Sequence, residues 1–143
     1  MKTLFVLLLF FFLNCNYYYD PFTFWMLDLT GYDYQSNDFS TPKNIEYWVL
    51  KNIEYKPDPK KSPQETLDCG YGDCEDMVML MQAIYYNVHG KKSDINIYLI
   101  KQNNRYLRHA AWKVGNKVLA NTGKIIRFEK TVYFDYTAFE SFK

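Results

Sequence analysis

The chain is poor in the residue types from which reactive sites are most often built. It carries two histidines and three cysteines in 143 residues, so any imidazole-dependent or metal-dependent chemistry must draw on a very short list. An excess of charge of one sign is missing as well. Seventeen basic residues against sixteen acidic ones leave a net charge of +1, which removes the electrostatic case for a nucleic acid or an anionic polymer as partner. No internal repeat or low-complexity tract appears beyond a bias toward aromatics. Apolar runs are short: the longest, Leu4 to Leu13, has ten residues, well under the roughly 20 needed to span a bilayer. What remains is 48% hydrophobic, enough for one domain with one packed core.

The N-terminus is distinctive. Met1-Lys2-Thr3 precedes the apolar run, and Asn14-Cys15 follows it. A basic start and a short apolar stretch match a secretory signal peptide. Cys15, directly after that stretch, resembles the acceptor cysteine of a bacterial lipoprotein. The expected organisation is therefore a signal segment over residues 1–15, a tether over 16–40 and one domain over 41–143. Acylated at Cys15, the mature chain would be held at a membrane outside the cytoplasm; an uncleaved signal anchor and plain secretion are the alternatives.

Thr41 and Pro42 suit the cap and first turn of a helix. Ile45, Trp48, Val49 and Ile53 recur at helical spacing after them. The proline-rich stretch from Tyr55 to Pro63 ends that helix as a loop. Ser62 and Glu65 are spaced to cap a short turn. Asp73 and Asp76 then open a longer helix, whose apolar face is Met77, Leu80, Met81, Ile84, Tyr85 and Val88 and whose end is Gly90. Beyond it the period becomes extended. Ile95 to Lys101 and Arg105 to Val114 read as strands. Lys117 to Asn121 reads as a third, joined to the second by a Gly115-Asn116 turn. Residues 124–130 and 131–139 supply one or two more. Helices first and strands after predict an α+β domain with an antiparallel sheet. Trp48 and Trp112 are candidates for the core.

Cys74 stands at the seam between a glycine-containing loop and the second long helix. With Asp73 as cap, it takes the first helical position, where unpaired N–H groups and the macrodipole favour a thiolate. Glu75 and Asp76 oppose that effect, and sequence alone does not settle which prevails. Gly70 and Gly72 are expected to leave the thiol uncrowded. A nucleophilic cysteine needs a base. His89 lies at the far end of the same helix, roughly 22 Å away at 1.5 Å per residue, which leaves His109 on a strand. Asn121, on the partner strand, is the candidate to orient the imidazole. A two-residue turn would put Ala120 on the His109 face, and a three-residue loop would put Asn121 there. Cys69 reads as a bystander or as a disulfide partner of Cys74. A zinc site from Cys69, Cys74 and His109 lacks the second pair of ligands such a centre requires.

The segments Ser62 to Tyr86 and Arg108 to Asn121 resemble the transglutaminase-like superfamily, and within it the bacterial transglutaminase-like cysteine proteinases. Pro63, Glu65, Thr66, Leu67, Gly70, Gly72, Asp73, Cys74, Glu75 and Asp76 match the family's lead and nucleophile loop, and His109-Ala110 matches its histidine strand. The family's acid is replaced here by the Ala120-Asn121 pair. The resemblance implies a papain-like α+β core with the cysteine helix packed on an antiparallel sheet. It also implies acyl transfer through a thioester on an amide of a protein, a peptide or a peptidoglycan-type substrate, with no metal or organic cofactor. The rival expectation is a catalytically impaired binding or scaffold lipoprotein on the same fold.

Overall fold

The computed structural model describes residues 37–57 and 61–132. The signal segment, Cys15, the tether up to residue 36 and residues 133–139 of the last expected strand lie outside them. Helix α1 (Pro42–Asn52) begins where capping chemistry places it. The Thr41 hydroxyl accepts from the Asn44 N–H at 3.2 Å, and Pro42 fills the first turn, where its missing N–H has no partner to lose. Ile45 and Val49 bury one face of this helix completely. Trp48 is half-buried and meets the Phe39 ring edge-on at 5.6 Å.

The chain then forms β1 (Glu54–Tyr55), α2 (Pro63–Cys69) and β2 (Tyr71–Gly72). A reciprocal cap between Ser62 and Glu65 starts α2, and Gly70 ends it in the left-handed region at φ 75°. Strands β1 and β2 pair in parallel, with Glu54 opposite Tyr71 and Tyr55 opposite Gly72. This short pairing ties the end of α1 to the loop before the next helix, and no periodicity in the sequence announces it.

A second reciprocal cap, between Asp73 and Asp76, opens α3 (Cys74–His89). Gly90 closes that helix at φ 66°. Every residue from Asp76 to Tyr86 is buried, so the middle of α3 is enclosed all round rather than on one face, as befits a central helix. Val88, expected on the buried face, is exposed.

The sheet comprises β3 (Asp94–Gln102), β4 (Arg105–Val114), β5 (Lys117–Leu119) and β6 (Lys124–Val132), in the order β5-β4-β3-β6 and antiparallel throughout. Asn103 and Asn104, both at positive φ, turn β3 into β4 in two residues. The Gly115-Asn116 turn is also two residues long, because Val114 stands opposite Lys117. The expected strand through Asn121 stops at Leu119, since Ala120 leaves the extended region at φ 58°. Ile95, Ile97, Ala110 and Trp112 join the α1 and α3 side chains in one core. Trp112 is fully buried and its indole N–H donates to Ser93 Oγ at 2.8 Å. The architecture is the expected α+β: helix α3, which begins at Cys74, packs on an antiparallel sheet.

Candidate active site

Cys74 is the first residue of α3, with Asp73 as its cap. The cap is braced from several sides. Asp73 Oδ1 accepts the Asp76 N–H at 3.0 Å, and Asp76 Oδ2 accepts the Asp73 N–H at 3.1 Å. Asp76 Oδ1 also accepts the Lys61 N–H at 2.9 Å, and the Lys61 ammonium stands 4.0 Å from Asp76 Oδ2. Burial raises the Asp76 carboxyl to about 6, against these hydrogen bonds. Gly72 packs onto the same carboxylate: a Cβ there would lie 2.7 Å from Asp76 Cβ and 3.3 Å from Thr66 Cγ2. Gly72 therefore serves the bracing of the loop, where the expectation was that it leaves the thiol uncrowded.

Burial also raises the Cys74 thiol, and the charges of Asp73 and Glu75 push the same way. The N–H groups of Ala110 and Glu75, both aimed at the sulfur, oppose the rise without overcoming it. In the contest left open by the sequence, desolvation first and the acidic neighbours second thus weigh against the thiolate. Cys74 carries a free thiol, so the Cys69–Cys74 bridge weighed above does not form.

Cys74 and His109 line one cavity of about 320 Å³, together with Tyr55, Leu107, Ala110 and Ala120. The hydrogen bond from the Ala110 N–H sets the sulfur one residue along the chain from His109. Strand alternation sends the side chains of 109 and 110 to opposite faces of β4. The cavity nevertheless reaches both, because β5 covers only Trp112 to Val114 and no described strand lies beyond the rest of that edge.

His109 is buried, and its Nε2 lies 2.6 Å from the backbone oxygen of Ala120. A carbonyl only accepts, so Nε2 carries a proton, and in the neutral ring Nδ1 is the nitrogen left bare. Asn121 does not perform this service. Its side chain is exposed, and its Oδ1 accepts the Gly123 N–H at 3.3 Å. The two-residue turn explains the exchange: it brings Ala120 to the histidine and sends Asn121 outward.

Glu46 on α1 completes the arrangement. Its carboxylate is buried, with Oε2 accepting the Ala120 N–H at 2.6 Å and Oε1 paired with Lys43. The sequence reading missed it. The signal was present, since Glu46 lies three residues before Val49 and seven before Ile53, an acid within an apolar helical stripe. Among the described residues, no group of three or more His, Cys, Asp or Glu is placed to hold a metal ion.

A family model for the transglutaminase-like superfamily core matches residues 30–90. That segment carries Cys74 and its helix, and over it the chain is similar to the transglutaminase-like superfamily core. Domains of this superfamily are, at that coarse level, cysteine-dependent and act on amides. The strand that bears His109 lies beyond the matched segment. No curated protein and no solved structure matched the chain.

Proposed function

We propose that this chain is a thiol hydrolase or acyltransferase acting on an amide through a Cys74 thioester, tethered outside the cytoplasm by a lipid on Cys15. The observation that carries the chemistry is the shared cavity, lined by a thiol at the first position of α3 and by an imidazole whose Nε2 faces the Ala120 carbonyl. With the thiol and the imidazole lining one cavity, the reading is a general-base mechanism, and the burial of the thiol agrees with it. The Cys74 S–H proton passes to His109 Nδ1 as the sulfur attacks the amide carbonyl carbon. The Cys74 N–H, which needs no intrahelical partner at the helix start, would receive the oxyanion. Collapse of the tetrahedral adduct breaks the C–N bond, and the imidazolium returns its proton to the leaving amine. Water or a second amine then attacks the thioester and gives a proton to His109; the C–S bond breaks, the acid or new amide leaves, and the imidazolium returns that proton to the sulfur. The closer affinity to bacterial transglutaminase-like cysteine proteinases, and a peptide or peptidoglycan-type substrate, belong to this proposal.

Alkylation of Cys74 by iodoacetamide, followed by mass spectrometry of its peptide, tests the pair. The wild-type thiol is expected to react about tenfold faster at pH 7–8 than in His109→Ala, a fraction of what a positioned base typically contributes. The variant's rate should track thiolate alone and keep climbing beyond pH 9. Superimposable profiles from the two folded proteins would defeat the enzyme. They would favour the second reading, a non-catalytic binding or scaffold protein, for which the replacement of a side-chain acid by the Ala120 carbonyl speaks.

A further inference from the structure

We infer that Glu46 is a positioning residue for the histidine, and that it acts by holding the Ala120 backbone where an orienting carbonyl replaces the missing acid. This rests on the reading of His109 as the base.

Three observations converge on it. First, the imidazole is held by a main-chain oxygen, that of Ala120. A main-chain oxygen cannot be adjusted by a rotamer; it points where φ and ψ send it. Second, those angles are unfavourable here. Ala120 has φ 58°, a region that non-glycine residues avoid because Cβ crowds the carbonyl. Something must hold it there. Third, the Ala120 N–H, buried with its residue, donates to Glu46 Oε2 at 2.6 Å. A charged acceptor on a buried amide is among the stronger hydrogen bonds available. The carboxylate comes from α1, 74 residues away in sequence, and the Lys43 ion pair fixes its other oxygen. Glu46 thus clamps one side of Ala120 while His109 is held by the other.

The role differs from that of the acid in a Cys-His-acid triad. Glu46 makes no hydrogen bond to the imidazole. It acts through a residue whose side chain is only a methyl group, which explains how the site dispenses with an acid at position 120.

The ring-nitrogen chemical shifts of His109 in ¹⁵N-labelled protein read this directly, without any substrate. In the wild type they should report a single tautomer, with the proton on Nε2. Glu46→Ala should give a mixture of tautomers and slow Cys74 alkylation about tenfold at pH 8, while Glu46→Gln, which keeps an acceptor oxygen, should restore the single tautomer. Should the alanine variant fail to fold, Glu46→Met fills the same space without an acceptor and carries the same expectation. A pure Nε2–H tautomer in a folded Ala or Met variant overturns the inference, as does a Gln variant no better than Ala. The shifts separate this outcome from the fate of the proposed activity. A chain that shows the tautomer change but no faster alkylation than His109→Ala keeps the clamp and loses the enzyme.

Discussion

At the scale of single residues, the site depends on buried carboxylates whose environments differ. Glu46 faces an amide and a lysine; Asp76 faces two backbone N–H groups from different segments. Burial lifts Asp76 to about 6 in the folded chain, above its ordinary value of 3.8. An acid raised in this way is protonated more readily folded than unfolded, so its contribution to stability falls as pH rises from about 4 to about 6 and is flat beyond. Asp76→Asn should abolish that component of the melting curve measured by calorimetry across this range. At pH 7 it should cost about 1–3 kcal/mol, because an amide has one acceptor oxygen for two N–H donors. The histidine was legible in the sequence because it had one competitor, excluded by distance. Its partner was not, because a backbone carbonyl has no letter of its own.

At the scale of elements, the sequence spoke clearly wherever caps and turns are local. Thr41-Pro42, Ser62 with Glu65 and Asp73 with Asp76 each start a helix at the residue expected. The Gly115-Asn116 turn falls where expected, and its length, open between two and three residues in the sequence, is two. What could not be read was set by contacts distant in sequence. The β1–β2 pairing joins segments 17 residues apart, and the early end of β5 follows from the conformation of Ala120, with Glu46 as its distant partner. Gly72 shows how closely the small parallel pair is fitted to the cap of α3. Gly72→Ala should destabilise the fold by about 1–3 kcal/mol, the usual cost of forcing a methyl group into packed surroundings. Urea denaturation would measure it, and the same change at Gly70, which meets nothing within 4 Å but sits at φ 75°, should act through backbone strain alone.

For the molecule as a whole, one core joins α1, α3 and the sheet, and the candidate site lies where all three meet. Among the described residues no helix is long and apolar enough to cross a membrane; the attachment proposed above is through Cys15. Cys15→Ser should move the chain from the membrane fraction to the soluble one and prevent incorporation of an alkyne-tagged fatty acid; retention of the label would remove Cys15 as the acceptor. The fold class followed from the order of helical and extended periods. The placement of the site did not, since it depends on which strand lies at the margin of the sheet, and that order is fixed by the packing of all four strands together.

The brevity of β5 governs entry. A third strand two residues longer would run alongside Ala110 and compete for the main-chain amide that now meets the sulfur. The hairpin would then act as a shutter over the nucleophile. By bending away at Ala120 it leaves a doorway instead, and the bend that opens the doorway is the one that steadies the imidazole beside it.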